Sequence, residues 1–103
     1  MWAAKRILLP VARGTEEIEF AAIMGVMRRA EVEVVVAKVT EKGEEPSMAT
    51  KLSRGMVMEA ETSLEEVQGE EFDAIVCPGG AIGSTILGKD NTLVDLLKEQ
   101  RKN

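Results

Sequence analysis

The chain has 103 residues and a net charge of −5, from 13 basic and 18 acidic side chains, so it offers no broad positive field for nucleic acid or an anionic membrane. Its length suits one domain or part of one and is short for a complete doubly wound α/β fold. The sequence has no histidine and a single cysteine, which argues against a zinc site, an internal disulfide and a self-contained Ser/His or Cys/His catalytic site.

The amino terminus leads directly into an apolar strand without the pattern of a secretory leader. No apolar run in the sequence is long enough to cross a membrane. We therefore expect a cytoplasmic protein without a membrane partner.

The first 39 residues are predicted to form a strand, a helix and a second strand. Residues 5–11 are almost continuously apolar, as in a strand buried on both faces of a parallel sheet. Thr15 is predicted to cap a helix from about Glu16 to Ala30, whose first turn is acidic and whose end carries two arginines, the order that the helix dipole favours. The β-branched residues 32–39 predict the second strand.

The remaining segments continue this alternation. Residues 48–58 could form a short strand or a small antiparallel arm, because Gly55 interrupts an alternating pattern. The other predicted elements are a polar loop at 40–47, a short helix after Thr62 or Ser63 that ends at Gln68, a buried strand at 72–77, helical segments at 82–87 and 93–97 with Asp90 or Asn91 as a cap between them, and a polar tail at 98–103. Strands and helices that alternate in this way predict an α/β fold with a mostly parallel sheet.

The strand at 72–77 stops at Pro78-Gly79-Gly80. Proline lacks an N–H, and the two glycines allow backbone conformations that leave amides exposed. In an open parallel sheet, ligands gather outside the carboxyl ends of the strands, where free amides can hold an anion or a developing oxyanion. We therefore expect a site near Gly79 and Gly80.

A nucleotide site is the main rival at this turn. The phosphate fingerprint requires G-x-G-x-x-G, and Pro78 stands where the first glycine should be. The earlier turn, at 12–17, opens an acidic helix start that would repel phosphate. No flavin, nicotinamide or other cofactor is therefore expected.

Glu19 is predicted to belong to the same edge of the sheet. Helical spacing places it on one face with an apolar stripe formed by Ala22, Ile23, Val26 and Ala30. A carboxyl group in such a poorly solvated place would stay protonated near pH 7 and could donate a hydrogen bond. The alternative is a first-turn glutamate that reaches water, which is our interpretation of Glu16 and Glu17.

Two further side chains could carry chemistry. Cys77 ends an apolar strand with no basic neighbour in sequence, so we expect it to pack as a small hydrophobe and not to act as a nucleophile. Arg54, beside Gly55, could clamp a carboxylate or another anion near the site. Alternatively, Arg54 is a solvated surface charge.

Three segments together resemble the ThiJ/PfpI superfamily, and specifically its Parkinson disease protein deglycase branch: KRILLPVARGTEEIEF at 5–20, VMRRAEVEVVVA at 26–37 and FDAIVCPGGAIGS at 72–84. The resemblance implies a flavodoxin-like, doubly wound and mostly parallel sheet with helices on both faces, usually in a homodimer. It also implies a reactive cysteine on a nucleophile elbow, followed by a histidine. Both would come after Asn103, so residues 1–103 are expected to be the amino-terminal part of a single domain that is incomplete in this chain.

The resemblance also assigns roles to individual residues. Glu19 matches the family glutamate that stays protonated and hydrogen-bonds the cysteine thiolate. Gly80 and the amide of Ala81 match the turn that faces the substrate oxygen, with Gly79 beside it. Arg54 matches an arginine near the pocket.

The leading functional hypothesis is the amino-terminal portion of a cysteine-dependent, cofactor-independent enzyme that acts on reactive carbonyls such as methylglyoxal or glycated side chains. Because Cys77 matches a plain strand position in the family, the nucleophile would come from a complementary carboxy-terminal fragment, held non-covalently. One alternative is an oxidative-stress sensor or holdase-type chaperone that uses the same cysteine pocket. Another is an interaction domain without catalysis.

The first helix is predicted to carry a dimer surface. Beside the Glu19 stripe lie further small or apolar positions, Ile18, Ala21, Met24 and Gly25. This apolar width exceeds what one sheet face needs, so we expect a two-fold dimer in which the helix packs on its mate.

Overall fold

A computed structural model describes residues 5–102, except for the side chains at 81, 82, 84, 85, 91, 92, 101 and 102. The elements in chain order are β1 (Arg6–Val11), α1 (Glu17–Arg29), β2 (Glu33–Lys38), β3 (Ala49–Lys51), β4 (Val57–Glu59), β5 (Thr62–Ser63), a 3-10 turn (Glu65–Val67), β6 (Ala74–Ile75), α2 (Ala81–Lys89) and α3 (Asn91–Lys102). No helix in this described part has both the length and the apolar character needed to cross a membrane.

Four strands form a parallel sheet in the order β5-β2-β1-β6. The continuous apolar run of β1 lies at its centre, with Leu8 paired to Val35 on one side and Ile75 on the other. The strands β3 and β4 form a separate antiparallel pair. The predicted parallel α/β architecture is confirmed, and the ambiguous segment at 48–58 is a small antiparallel arm.

Hydrophobic cores cover both faces of the sheet, because successive side chains of β1 point to opposite sides. Leu8 packs on one face with residues of α2, α3 and the 3-10 turn, including Val67, Leu87 and Leu93. Ile7, Leu9 and Val11 pack on the other face with β2 and α1. Helices therefore flank the sheet on both sides, as in a flavodoxin-like fold.

Helix α1 presents a different face to the sheet than its sequence suggested. The residues packed on the sheet are Phe20, Ile23, Met24 and Met27, which follow the i, i+3, i+4, i+7 spacing of one helix face. Ala22 and Ala30 are exposed, and Val26 is 61% exposed. The predicted stripe of Glu19 with Ala22, Val26 and Ala30 is therefore wrong, since the partly buried side chains that pack on the sheet lie about one residue further round the helix.

The start of α1 also differs from the prediction. Glu16 is the cap, and its carboxylate accepts a hydrogen bond of 2.7 Å from the Glu19 amide. Thr15 is fully buried one residue earlier, and its hydroxyl accepts a bond of 3.1 Å from the Ala12 amide. The threonine hydroxyl thus closes the turn that follows β1 and cannot cap the helix.

Later boundaries are confirmed in part. Asp90 caps α3 by accepting a bond of 2.9 Å from the Leu93 amide. The short helix predicted after Ser63 is only a 3-10 turn. The Ser63 hydroxyl accepts a hydrogen bond of 3.3 Å from the Glu66 amide in this turn. Of the predicted strand at 72–77, only Ala74–Ile75 is a regular strand. Among the described strands, it pairs with β1 alone.

Candidate active site

The loops after β1 and β6 meet at the carboxyl edge of the parallel sheet. The Glu16 amide donates a hydrogen bond of 2.9 Å to the Gly79 carbonyl oxygen. This bond joins the start of α1 to the glycine turn, as expected for loops that follow neighbouring parallel strands. The two segments singled out from the sequence are therefore in direct contact.

The Glu19 carboxylate lies against Gly79. A Cβ atom built at Gly79 would be 2.6 Å from Glu19 Oε2 and 2.9 Å from Oε1, both closer than a side chain tolerates. Gly79 is not among the described glycines with a positive φ. A side chain at position 79 would therefore displace the Glu19 carboxylate, which is the end of a flexible side chain.

Gly80 and Gly83 pack on the backbone of the first turn. Gly80 has φ +115°, and a Cβ there would lie 2.5 Å from the Gly14 carbonyl oxygen. A Cβ at Gly83 would lie 2.8 Å from the Thr15 Cα. The glycines let α2 begin directly against the loop after β1, and Ala81, whose side chain is outside the described residues, is the first residue of that helix.

The Glu19 side chain is exposed. The expectation of a poorly solvated carboxyl group is therefore wrong for the described part of the chain. The physical reason is the rotation of α1, which turns Phe20 and not Glu19 toward the sheet. The alternative given above, a first-turn glutamate that reaches water, describes its solvation here.

Glu17, interpreted from sequence as a surface residue, accepts hydrogen bonds from the turn that joins β3 to β4. Its carboxylate accepts hydrogen bonds of 2.8 Å from the Ser53 hydroxyl, 2.8 Å from the Arg54 amide and 3.3 Å from the Met56 amide. Desolvation raises the pKa of Glu17, but these hydrogen bonds from Ser53 and from backbone amides outweigh it, so the pKa lies below its ordinary value. Glu17 does begin the helix near the surface, as interpreted, but the interpretation did not include these bonds to the arm.

Arg54 is held at the same edge through its backbone. The arm is joined to the first turn by a bond of 2.9 Å from the Gly14 amide to the Lys51 carbonyl and by one of 2.9 Å from the Ser53 amide to the Thr15 carbonyl. The Arg54 side chain itself is exposed. The bond from its amide to the Glu17 carboxylate is what locates Arg54 at this edge.

Cys77 is exposed, so its predicted burial is wrong for the described residues. It lines an open apolar groove of about 280 Å³ together with Pro78, Leu87, Leu93 and Leu97. The surrounding protein desolvates the sulfur and raises the pKa of the Cys77 thiol above its ordinary value, although one side stays open to solvent. A raised pKa makes a thiol a weaker nucleophile at neutral pH, and that Cys77 is not the nucleophile stays a prediction.

Among the described side chains, no group of three or more His, Cys, Asp or Glu residues is placed to hold a metal ion.

Residues 5–103 match the sequence profile of the DJ-1/PfpI family. The chain belongs to the DJ-1/PfpI family.

Related proteins confirm the family and its fold. The chain is 34% identical over 99 residues to the Parkinson disease protein 7 homolog of Danio rerio, covering 95% of this chain and 50% of that protein. It is 32% identical over 99 residues to the glutathione-independent glyoxalase DJ-1 of Schizosaccharomyces pombe, covering 91% and 50%. The structure of oxidized Toxoplasma gondii DJ-1 superposes with a TM-score of 0.88 at 35% identity, covering 96% of this chain and 51% of that one. The chain thus spans about half the length of these two curated relatives.

The structure places Glu19 against Gly79, next to Gly80, and leaves the Arg54 side chain exposed. Sequence reasoning missed Glu17. The sequence indicates a turn that exposes amides, because it contains Gly55, whose φ is +97° in the structure. It does not indicate that Glu17, 37 positions before Arg54, accepts their hydrogen bonds.

Proposed function

We propose that this chain is the amino-terminal part of a single DJ-1/PfpI-type domain which, when completed, is a cysteine-dependent and cofactor-independent glyoxalase or deglycase acting on small reactive carbonyls. The observation that carries the proposal is the Glu19 carboxylate against Gly79, next to the turn at Gly80, where φ is +115°. A relative of the same family is named a glutathione-independent glyoxalase, which supports this reaction class.

A complementary carboxy-terminal segment would supply the nucleophile. In the described sheet β6 is an edge strand, and its two residues and the following Val76 are only half-buried. The apolar groove at Cys77 opens beside this edge. An unpaired edge with an apolar groove favours the addition of another strand, and we propose that this strand leads to a cysteine elbow and a histidine, either on a separate fragment or on a continuation of the chain.

Completion would also change the chemistry of Glu19. A segment that covers the exposed carboxylate excludes water from it, and burial favours the neutral form of a carboxyl group. A protonated Glu19 donates a hydrogen bond to a neighbouring thiolate and thereby lowers the pKa of that cysteine. The amides of the turn at Gly80 and Ala81 would then hold the oxygen of the tetrahedral intermediate.

The completed protein can be tested directly for glutathione-independent consumption of methylglyoxal, with mass spectrometry of the isolated sample to identify any accompanying fragment. Glu19→Leu should lower turnover by at least about tenfold, which is about 1.4 kcal/mol of transition-state stabilisation. Glu65→Leu, at an exposed first-turn glutamate of the 3-10 turn, is the matched control. Equal effects at both positions would remove Glu19 from the mechanism.

An oxidative-stress sensor is the second candidate, because the solved Toxoplasma gondii relative is described as oxidized. In that case the same low-pKa thiolate would be converted to a sulfinate and would turn over little substrate. Absence of methylglyoxal turnover, together with rapid oxidation of one cysteine by peroxide, would favour the sensor. Absence of both would leave an interaction domain.

A further inference from the structure

The turn between β3 and β4 is bound to α1 through a single carboxylate. Glu17 accepts bonds from the Ser53 hydroxyl, the Arg54 amide and the Met56 amide at 2.8, 2.8 and 3.3 Å. Hydrogen bonds to an ionised acceptor are stronger than those between neutral groups. One side chain therefore holds three donors of the turn that carries Arg54.

The base of the same arm is fixed independently of Glu17. Lys38, at the end of β2, is 1% exposed and donates bonds of 2.7 Å to the carbonyl oxygens of Ser47 and Ala49. Its ammonium group also pairs with Glu44 at 3.1 Å. Because the base is anchored in the sheet, a change at Glu17 should loosen only the tip of the arm.

The tip lies beside the proposed active site. Its Ser53 amide bonds to the Thr15 carbonyl at 2.9 Å, and Thr15 adjoins the backbone against which Gly80 packs. Glu19 follows Glu17 by two residues in the first turn of α1. The backbone of Arg54 is thus fixed at the edge where Glu19 meets the glycine turn, and its side chain is exposed there.

We propose that Glu17 is a positioning residue that fixes the turn at 53–56 and so holds the Arg54 guanidinium beside the contact between Glu19 and Gly79, where it binds an anion or the carbonyl oxygen of a substrate. A guanidinium group presents several donors in a planar arrangement suited to such oxygens. The site of action rests on the function proposed above. The hydrogen bonds that hold the turn do not depend on it.

Hydrogen exchange tests the attachment of the turn without any activity assay. In Glu17→Gln the amide oxygen accepts weaker bonds and its NH₂ group faces protein donors, so the Arg54 and Met56 amides should exchange at least about tenfold faster. Glu65→Gln is the matched control and should leave both rates unchanged. Exchange within about twofold of the wild type in Glu17→Gln would overturn the proposal.

A double-mutant cycle with Arg54→Gln tests whether Glu17 acts through Arg54. Each single substitution should raise the KM for methylglyoxal about tenfold and leave kcat within about twofold, since substrate binding is affected and the nucleophile is not. The double variant should be no worse than Arg54→Gln alone. Additive effects on KM would mean that Glu17 acts independently of Arg54, and would overturn the proposal.

If the completed protein does not turn over methylglyoxal, the proposed function is refuted, but the role of Glu17 can still be tested. The cycle is then measured as the affinity for inorganic sulfate, the anion probe, by calorimetry. Weaker sulfate binding in both single variants, with no further loss in the double variant, supports the role of Glu17. A wild-type protein that neither binds sulfate nor consumes methylglyoxal overturns the placement of Arg54.

Discussion

Alanine at two adjacent glycines should separate stability from activity in this fold. A Cβ at Gly80 would lie 2.5 Å from the Gly14 carbonyl oxygen, in a residue with φ +115°. Strain in that backbone region costs about 1–3 kcal/mol, and overlap with backbone that cannot rotate away costs about 1–3 kcal/mol more. Because 1 kcal/mol lowers the melting temperature of a 150–250-residue domain by about 2–4 °C, Gly80→Ala should lower that of the completed protein by at least about 4 °C.

Gly79→Ala should behave differently, because its Cβ would meet the Glu19 carboxylate, at the end of an exposed side chain. Moving that side chain off its rotamer costs about 0.5–1.5 kcal/mol. Alanine offsets about 0.4–1 kcal/mol of this by restricting the unfolded chain. The melting temperature should therefore hardly change, whereas displacement of Glu19 from the turn should lower methylglyoxal turnover about tenfold.

Thermal unfolding and turnover, measured on the same samples, check both outcomes. Gly69→Ala is the control, since a Cβ there would have no neighbour within 4 Å, and it should match the wild type in both measurements. Full turnover in a well-folded Gly79→Ala variant would refute the role given to the carboxylate. A Gly80→Ala variant that melts like the wild type would refute the close backbone contact.

Three further outcomes follow from the same geometry. The pKa of Glu17 is lowered in the folded state, so its stabilising effect should be present above the ordinary pKa of 4.5 and be lost as the pH falls through the lower folded-state pKa. The difference in melting temperature between wild type and Glu17→Gln should therefore shrink from pH 7 to pH 3. A constant difference would contradict this. Cys77 should react with iodoacetamide slowly in the completed protein and faster once the completing segment is removed. Its rate should rise with pH, because the thiolate is the reacting form and burial raises the pKa of this thiol. Equal rates with and without the segment would show that it does not cover the groove. Gly25→Arg, on the exposed side of α1 beside Ile18 and Val26, which are 73% and 61% exposed, should yield monomers in sedimentation, and a dimer would exclude this face as the interface.

The central strands were predictable because their pattern allows one interpretation. Continuous apolar and β-branched runs in β1 and β2 favour buried parallel strands, and both lie in the parallel sheet. The rotation of α1 was not predictable in the same way. From Ile18 to Met27, every residue except Glu19 is apolar or small, so periodicity does not single out one face.

The partner of Glu17 was unpredictable for another reason. Its hydrogen bonds span 36 to 39 residues and depend on how an arm of two three-residue strands folds back on the sheet. Strands that short carry almost no periodic signal. A single sequence shows that the turn near Gly55 exposes amides but not which side chain accepts their hydrogen bonds.

Two of the burial predictions that were wrong, those for Glu19 and Cys77, concern the same edge of the molecule. Cys77 ends the strand that leads to Gly79, and Glu19 lies against Gly79 itself. Predictions for the interior of the sheet, away from this edge, were confirmed: Leu8 and Leu9 are fully buried and Val36 is 2% exposed. An unpaired strand edge can accept a further strand, and the completing segment proposed above would cover both groups if it packs here. We therefore expect that segment to bind at this edge, which would place the proposed site between this chain and the segment.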